Sequence, residues 1–295
     1  MSKWNTADIP SQSGRTVIVT GANSGLGRAT TKALAGAGAR VVMGVRDLDR
    51  GHAVAASIAG KTEVRELDLA DLASVRRFAE GWSEPVDVLI NNAGVMAVPN
   101  GKTKDGFEMQ FGTNHLGHFA LTNLLLPQIT DRVVTVSSTA HRMGKIDLED
   151  LNWESRPYKP WGAYGQSKLA NLLFTLELQR RLHTDGLALR AMAAHPGLSA
   201  TNLQSRPGGK LARGVSTIAS KVIGQNEDMG ALPQLFAATQ DLPGASYVGP
   251  DGFAEQRGHP TLVSRSAAAS DVAMAEKLWA ASESLTKVSY PSLIS

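Results

Sequence analysis

A tyrosine and a lysine four residues apart, Tyr164 and Lys168, form the pair in this chain best suited to moving a proton. On a helix, side chains at positions i and i+4 lie on one face, close enough to interact. A phenol has a reference pKa of about 10 and is a poor acid or base near neutrality. A nearby ammonium group favours the phenolate, so we expect Lys168 to lower the pKa of Tyr164. The pair alone gives weak support, and its weight comes from the motifs around it.

A glycine-rich turn follows the first apolar, β-branched run of the chain and precedes a helical stretch. Glycines at such a turn let the backbone approach a pyrophosphate, which the free N–H groups and dipole of the helix N-terminus attract. The strand–turn–helix context is the one that this motif requires, so a dinucleotide site is favoured over a plain tight turn. The candidate contacts in the turn are Gly21, Asn23, Ser24, Gly25, Leu26 and Gly27.

The elements that must position these residues alternate along the chain. We predict strands at 15–20, 39–45, 63–67, 86–90, 132–136, 187–192 and 245–248, and helices at 26–34, 71–80, 107–126, 163–182 and 229–239. This alternation predicts a doubly wound parallel sheet covered by helices on both faces. No composition shift or linker divides the chain, so we expect one α/β domain over residues 1–295. Three segments, 145–161, 204–225 and 250–295, lie outside the alternation.

Composition excludes several function classes. A net charge of +3 and 5% aromatic residues argue against nucleic-acid binding, and the absence of cysteine excludes disulfides and thiolate metal sites. Only His115 and His118 are close together, and a surface or core role for them is favoured over a metal site. We find no signal-peptide pattern and no run of about 18 apolar residues. We therefore expect a soluble cytoplasmic protein without an integral membrane segment.

The ordered set of motifs resembles the short-chain dehydrogenase/reductase family. The set consists of Thr20-Gly-x-x-x-Gly-x-Gly27, then Asn91-Asn-Ala-Gly94, then Tyr164-x-x-x-Lys168, and the resemblance covers roughly residues 14–252. It implies a Rossmann fold, a nicotinamide cofactor, no metal, and hydride transfer between that cofactor and a carbonyl/alcohol pair. NADPH is the usual cellular reductant, so we expect reduction to be the favoured direction.

The resemblance also implies roles for residues at the matching positions. Asn114 matches the helix asparagine that holds a proton-relay water, and Ser138, preferred over Ser137, matches the serine that binds the substrate oxygen. Tyr164 would exchange the proton, while Lys168 would lower its pKa and hold the nicotinamide ribose. Other expected cofactor contacts are Asp68 and Leu69 beside the adenine, Asn92, Ala93 and Gly94 after strand four, and Pro196, Gly197 and Thr201 near the nicotinamide amide. Singly, several of these could be cap or turn residues, and their common order favours the functional interpretation.

The end of the second predicted strand bears on cofactor choice. Folds selective for NAD place an acidic residue there to bind the ribose 2′-hydroxyl, but this chain has Val45 followed by Arg46. An arginine can pair with a 2′-phosphate. NADP(H) is therefore favoured over NAD(H), although Asp47 is close and Ser24 is not the basic residue that some NADP-preferring relatives carry.

The substrate side gives a coarser prediction. Ser138 and Tyr164 are 26 positions apart, and the segment 145–161 accounts for the length of this interval. That segment resembles the one in the retinol dehydrogenase and protochlorophyllide reductase-like branch. Those relatives act on bulky lipophilic carbonyls or alcohols. The segment 204–225 contains basic residues, an apolar stripe and no acidic residue, so we expect a mobile lid over an apolar pocket. Contact of the lid with an anionic surface or substrate is the second choice.

Two other function classes remain open at this stage. An epimerase or dehydratase could use the same dinucleotide scaffold, but the chain lacks a large C-terminal substrate domain. A non-catalytic NADP-binding sensor would not need the intact set of serine, tyrosine, lysine and asparagine. Relatives often assemble as dimers or tetramers through the helix that carries Tyr164, whereas longer-tailed members can be monomeric, so the resemblance leaves a homo-oligomer and a monomer open.

Overall fold

Short runs of valine, isoleucine and alanine form the strands at the centre of the fold. The computed structural model describes residues 3–197 and 226–293. Thr201 and the predicted lid at 204–225 therefore lie outside the described residues. The strands are β1 (Thr16–Thr20), β2 (Arg40–Val45), β3 (Lys61–Glu66), β4 (Val86–Asn91), β5 (Ile129–Val136), β6 (Arg190–Ala194), β7 (Tyr247–Pro250) and β8 (Pro260–Leu262).

In the described part of the chain, these strands form one sheet in the order β3-β2-β1-β4-β5-β6-β7-β8. Neighbouring strands are parallel except β7 and β8. Val17 of β1 lies opposite Val41 of β2 on one side and Val88 of β4 on the other. The order reverses between β1 and β4, and ligands of such sheets bind in the crevice outside the carboxyl ends of the strands. The predicted doubly wound sheet is confirmed.

Helices cover both faces of the sheet. They are α1 (Gly25–Gly36), α2 (Leu48–Ala56), α3 (Leu72–Glu80), α4 (Met109–Phe111), α5 (Gly117–Leu125), α6 (Pro160–Thr184), α7 (Glu227–Thr239) and α8 (Val272–Thr286). Successive strand residues point to opposite faces. In β1, Ile18 joins the core under α3, α5, α6 and α8, while Val17 and Val19 join the core under α1 and α7.

The structure corrects the predicted long helix at 107–126. A short α4 is followed by a π-helical turn, Gly112–Leu116, and then by α5, which ends before Pro127. The π turn contains Asn114, and such turns occur often at functional sites. The amide of Gly117 bonds to the carbonyl of Gly112, five residues earlier, so the break is a change of hydrogen-bond register.

Other boundaries also differ from the predictions. The helices α2 and α8 were not predicted, although Asp47 caps the first turn of α2 through the amide of Arg50. β6 begins at Arg190 rather than Leu187, because the Leu187 amide still closes the end of α6 on the Leu182 carbonyl. These shifts leave the order of elements around the crevice as predicted.

Candidate active site

The turn after β1 has the backbone geometry of a phosphate cradle. Gly21 has a φ of 65°, which favours glycine, and a side chain on Gly27 would collide with the Gly21 carbonyl. Ser24 is the N-cap residue of α1, yet its side chain makes no capping bond to the first turn. Because N–H groups of a first helical turn have no partner within the helix, they can bind an anion. The turn therefore fits the pyrophosphate of a dinucleotide.

A cavity of about 310 Å³ lies over this turn, at the carboxyl ends of β1, β2 and β4. Twelve of the predicted cofactor residues line it: Gly21, Asn23, Ser24, Gly25, Leu26, Gly27, Arg46, Asp68, Leu69, Asn92, Ala93 and Gly94. Its wall also includes Gly44, Asp47, Arg50, Leu67, Val95 and Thr113, which were not predicted. The topology thus brings residues from five separate segments of the sequence into one space.

The hydroxyl of Thr20 joins the two turns that border this cavity. Its oxygen accepts the amides of Asn92 and Ala93, each at 2.9 Å, and lies 2.8 Å from Nε2 of the buried His118. His118 Nδ1 lies 3.0 Å from the Asn114 carbonyl and must carry a proton to bond there, which leaves Nε2 to accept from Thr20. Burial lowers the pKa of His118 to about 4, consistent with that neutral form.

The amino group of Lys168 lies between the predicted catalytic and cofactor residues. Its Nζ donates to the Val136 carbonyl at 3.0 Å and lies 5.7 Å from the centre of the Tyr164 ring. A Cβ on Gly94 would stand only 3.6 Å from Nζ. The buried Ser137 donates its hydroxyl proton to the Lys168 carbonyl at 2.8 Å. Ser137 is thus used to hold α6 against β5.

Ser138 and Tyr164 are adjacent at the open end of this group. Ser138 is half-buried, and its oxygen accepts the amide of Ala140 at 3.2 Å. Burial raises the pKa of Tyr164 to about 12, while a hydrogen bond to Ser138 acts in the opposite direction. Burial also lowers the pKa of Lys168 to about 8. Desolvation of the phenolate thus sets the direction of the Tyr164 shift, which is opposite to the direction expected from the sequence.

Asn114 makes its side-chain contacts with the segment after β4. Its Oδ1 accepts the Val95 amide at 2.8 Å, and its Nδ2 donates to the Val95 carbonyl and to Ser167 Oγ, both at 2.9 Å. Its own carbonyl accepts from His118. Any relay function of Asn114 therefore belongs to its main-chain carbonyl, since the side chain fixes the loop that follows Gly94.

Basic residues stand at the end of β2. Arg46 and Arg50 both line the cavity, and the structure places the carboxylate of Asp47 on the Arg50 amide as a helix cap. The cap gives Asp47 a role at the N-terminus of α2.

At the other end of the cleft, the chain leaves β6 through His195, Pro196 and Gly197. Gly197 has a φ of 66°, and its amide donates to His195 Nδ1 at 3.2 Å. A side chain on Gly197 would collide with the carbonyl of Gln256. The position of this loop therefore depends on a turn in the C-terminal part of the chain.

The sequence-based predictions left out several residues that hold the site. Thr20 and His118 connect the two cofactor turns, and Gln234 of α7 donates to Asn92 Oδ1 at 3.1 Å. The sequence could have indicated Arg50, because Asp47 is a good N-cap residue and therefore predicts the start of the helix that carries Arg50. His115 and His118, taken together because of their spacing, have separate partners: His115 Nε2 lies 2.9 Å from the Ser282 hydroxyl.

Comparisons with known proteins agree with this geometry. The family model for short chain dehydrogenase matches residues 15–209. Human retinol dehydrogenase 13 is 42% identical over 97% of this chain and 88% of its own length, and human retinol dehydrogenase 14 is 48% identical over 64% of this chain and 63% of its own length.

Solved structures give the same result. The crystal structure of an uncharacterized protein from Mycobacterium paratuberculosis is 58% identical, with a TM-score of 0.87 over 98% of this chain and 100% of that chain. A short chain dehydrogenase from Burkholderia cenocepacia J2315, solved in complex with NADP, is 23% identical, with a TM-score of 0.61 over 78% and 92% of the two chains. At that identity the second likeness concerns the fold alone.

Proposed function

The chain belongs to the short-chain dehydrogenase/reductase family, and from that membership we propose that it reduces a bulky lipophilic carbonyl to the alcohol with NADPH. One observation carries the proposal: the glycine turn that fits a dinucleotide and the Ser138–Tyr164–Lys168 group border the same end of the sheet. Hydride transfer requires this arrangement, because the cofactor must deliver hydride where the protein delivers the proton.

In the proposed mechanism, bound NADPH supplies the hydride that forms the new C–H bond. Ser138 and Tyr164, which share a hydrogen bond, polarise the carbonyl oxygen, and Tyr164 donates the proton to it. Lys168 is buried beside the Tyr164 ring, and its pKa of about 8 allows it to release and regain a proton near neutral pH. The Asn114 carbonyl is the group suited to hold a water that returns a proton to Lys168.

The preference for NADPH rests on the residues after β2. Val45 places no carboxylate where a 2′-phosphate would bind, and Arg46 and Arg50 contribute two cations to that wall of the cavity. The Asp47 carboxylate accepts the Arg50 amide at 3.0 Å, so it is directed to the start of α2. These features support pairing of a 2′-phosphate with arginine.

A lipophilic substrate is supported by the apolar side chains beside Tyr164. The Trp161 ring lies 6.0 Å from the Tyr164 ring and is 52% exposed, and Met143 is 64% exposed. Gly144, the residue after Met143, packs closely on Gly165 of α6, which directly follows Tyr164. The two human relatives described above are named retinol dehydrogenases, which fits an apolar substrate class.

The decisive experiment is an NADPH-oxidation screen across aldehydes, ketones, quinones and steroids, run with the natural chain and with Tyr164→Phe. We expect turnover on at least one apolar carbonyl, a loss of at least about a thousandfold in kcat for Tyr164→Phe, and unchanged NADPH binding by fluorescence. Equal turnover by both proteins would refute the role of Tyr164, and no turnover on any class would refute the proposed activity.

We also propose a cytoplasmic location, which cell fractionation would test. In the described ranges, no helix has the length and hydropathy to cross a membrane.

A further inference from the structure

A strained turn lies in the segment that follows β7. Ala254 and Glu255 are consecutive residues with φ values of 50° and 56°, a left-handed conformation that side chains other than glycine rarely adopt. The turn is closed by main-chain bonds from the Glu255 amide to the Gly252 carbonyl and from the Gly252 amide to the Arg257 carbonyl, both at 2.9 Å. Strain of this kind persists where surrounding contacts fix it, and it often accompanies a functional constraint.

The turn directs the Glu255 carboxylate onto a buried histidine. Glu255 Oε2 lies 3.1 Å from Nε2 of His195, whose side chain is 1% exposed. The Gly197 amide donates to His195 Nδ1, so Nδ1 carries no proton. The proton of the neutral ring must then be on Nε2, which donates to Glu255. Glu255 thereby selects the tautomer that can hold the Gly197 amide.

The same group of contacts reaches the segment that carries Ser138. His141 donates from Nδ1 to the Ser138 carbonyl at 2.7 Å. The rings of His141 and His195 both contact the Tyr247 ring, with centroids 5.7 and 5.1 Å away. The loop after β6 and the turn after β5 thus both pack, through these histidines, on the ring of Tyr247 in β7.

A cation, Arg142, also faces Glu255. Arg142 lies 3.4 Å from Glu255 Oε1, and its guanidinium also donates to the Ser264 carbonyl at 3.0 Å. Arg142 is 45% exposed in its side chain, so solvent screens this ion pair. The buried contact with His195 is therefore the more specific of the two that Glu255 makes.

We propose that Glu255 is a positioning residue for the proposed reaction, acting through His195 to hold the Pro196–Gly197 loop, which the cofactor is expected to meet. The proposal rests on the proposed function. Glu255 touches no reacting atom; it fixes the tautomer and orientation of His195, and the Gln256 carbonyl of the same turn packs against Gly197. The C-terminal part of the chain is in this way a component of the active site.

The test compares Glu255→Met with Glu255→Gln. Methionine is similar in length but accepts no strong hydrogen bond, whereas glutamine keeps an oxygen for the His195 proton. For Glu255→Met we expect about a tenfold loss in kcat and a lower melting temperature, because the buried His195 N–H loses its acceptor. For Glu255→Gln we expect near-natural kcat and melting temperature. Glu84→Met is the matched control, since Glu84 forms an ion pair with Arg40 near the amino ends of β2 and β4, away from the site.

A second measurement does not depend on turnover. Nitrogen-15 NMR of the histidine rings should show His195 with a protonated Nε2 in the natural chain and in Glu255→Gln, and a changed signature in Glu255→Met. Natural kcat and an unchanged ring signature in Glu255→Met would overturn the proposal, as would equal impairment of the methionine and glutamine variants. If the natural chain reduces no carbonyl while the His195 signature behaves as expected, the proposed function fails and the positioning contact stands.

Discussion

Burial shifts both ionisable groups of the Tyr164–Lys168 pair toward their neutral forms. It raises the pKa of Tyr164 to about 12 and lowers the pKa of Lys168 to about 8. At pH 7 the amino group is therefore mostly charged, but it lies within about one pKa unit of losing its proton. A proton source of this kind is well matched to turnover near neutrality, whereas an exposed lysine with a pKa near 10.5 would hold its proton too firmly.

The buried Lys168 should destabilise the folded chain at neutral pH. Its pKa falls from 10.5 to about 8 on burial, so the charged form costs up to about 3 kcal/mol of folding free energy at pH 7. Lys168→Met should therefore abolish turnover while raising the free energy of unfolding by about 1 to 2 kcal/mol at pH 7. The Val136 carbonyl would still accept from Asn171 at 3.1 Å, so no buried acceptor loses its last partner.

The sign of the pH dependence follows from linkage. Between pH 8 and 10.5 the unfolded chain binds the Lys168 proton more tightly than the folded chain, so the stability of the natural protein rises with pH in that window. The advantage of Lys168→Met should shrink over the same range in denaturant titrations. Lys102→Met is the control, because Lys102 is an exposed partner of Glu154 and should give no comparable trend. A constant or growing advantage above pH 8 would contradict the argument.

Arg46 should determine the choice between the two cofactors. Removing one charge-assisted contact to a 2′-phosphate costs about 1.5 to 3 kcal/mol, so Arg46→Ala should lower kcat/KM for NADPH by roughly ten- to a hundredfold. The value for NADH should change by less than about twofold. Steady-state kinetics with both cofactors measures the two values of kcat/KM. Arg28→Ala is the control, because Arg28 is an exposed residue of α1 that pairs with Glu227 of α7. An equal loss with NADH and NADPH would remove Arg46 from cofactor selection.

At the residue scale, the sequence predicts which side chains share the cleft better than it predicts their electrostatics. Residues of the glycine turn and Asn92 to Gly94 could be placed because main-chain motifs have strict spacing. The direction of the Tyr164 shift could not, since spacing reveals a neighbouring charge but not the depth of burial. His195 was passed over for a related reason: its importance comes from Glu255, sixty positions away.

Two elements of the site meet through glycine. Gly144, in the turn that follows Ser138, and Gly165 of α6 approach so closely that a side chain on Gly144 would collide with the Gly165 carbonyl. Gly144 has a φ of −72°, so its need for glycine comes from packing and not from backbone conformation. This contact sets the distance between the segment of Ser138 and the helix of Tyr164.

Gly144→Ala should therefore separate the catalytic serine from the tyrosine. We expect kcat to fall about tenfold or more and the free energy of unfolding to fall by about 1 to 3 kcal/mol, as for an overpacked contact. Gly36→Ala makes the matched control: Gly36 ends α1 with no neighbour within 4 Å of an added Cβ, so alanine should be neutral or stabilising by up to about 1 kcal/mol. Unchanged kcat in Gly144→Ala, measured with the substrate found in the screen, would show that this contact does not set the catalytic geometry.

The pattern of apolar residues predicted the types of the strands and helices more readily than it predicted where a helix is interrupted. The β-branched runs at β1, β2 and β5 have no competing interpretation, because their burial on both faces requires continuous apolar sequence. The π turn around Asn114 left no such signal, since a shift of one residue in hydrogen-bond register keeps the sequence equally apolar. The helix α8 was missed because the resemblance ended near residue 252, where its motifs end.

At the scale of the whole molecule, the C-terminal helix covers the helix that carries Tyr164. Trp279 of α8 is 2% exposed and stacks on Phe174 of α6, with ring centroids 5.6 Å apart and planes 7° apart. Phe119 contacts the same indole edge-on at 4.9 Å, and the Arg181 guanidinium lies 4.6 Å from it. An interface built directly on this face of α6, the arrangement expected from the family resemblance, would have to displace α8.

We therefore propose that the chain does not pair through this face of α6, and we expect light scattering to give the mass of a monomer, near 31.2 kDa. Trp279→Ala should lower the free energy of unfolding by about 3 to 5 kcal/mol, because it leaves a cavity among Phe119, Phe174 and Tyr290. It should also promote self-association, since the apolar face of α6 loses its cover. Trp161→Ala, at an exposed tryptophan of the same helix, should leave both mass and stability nearly unchanged. A natural protein of twice the mass, with α8 protected from hydrogen exchange, would show that the chains pair through another face.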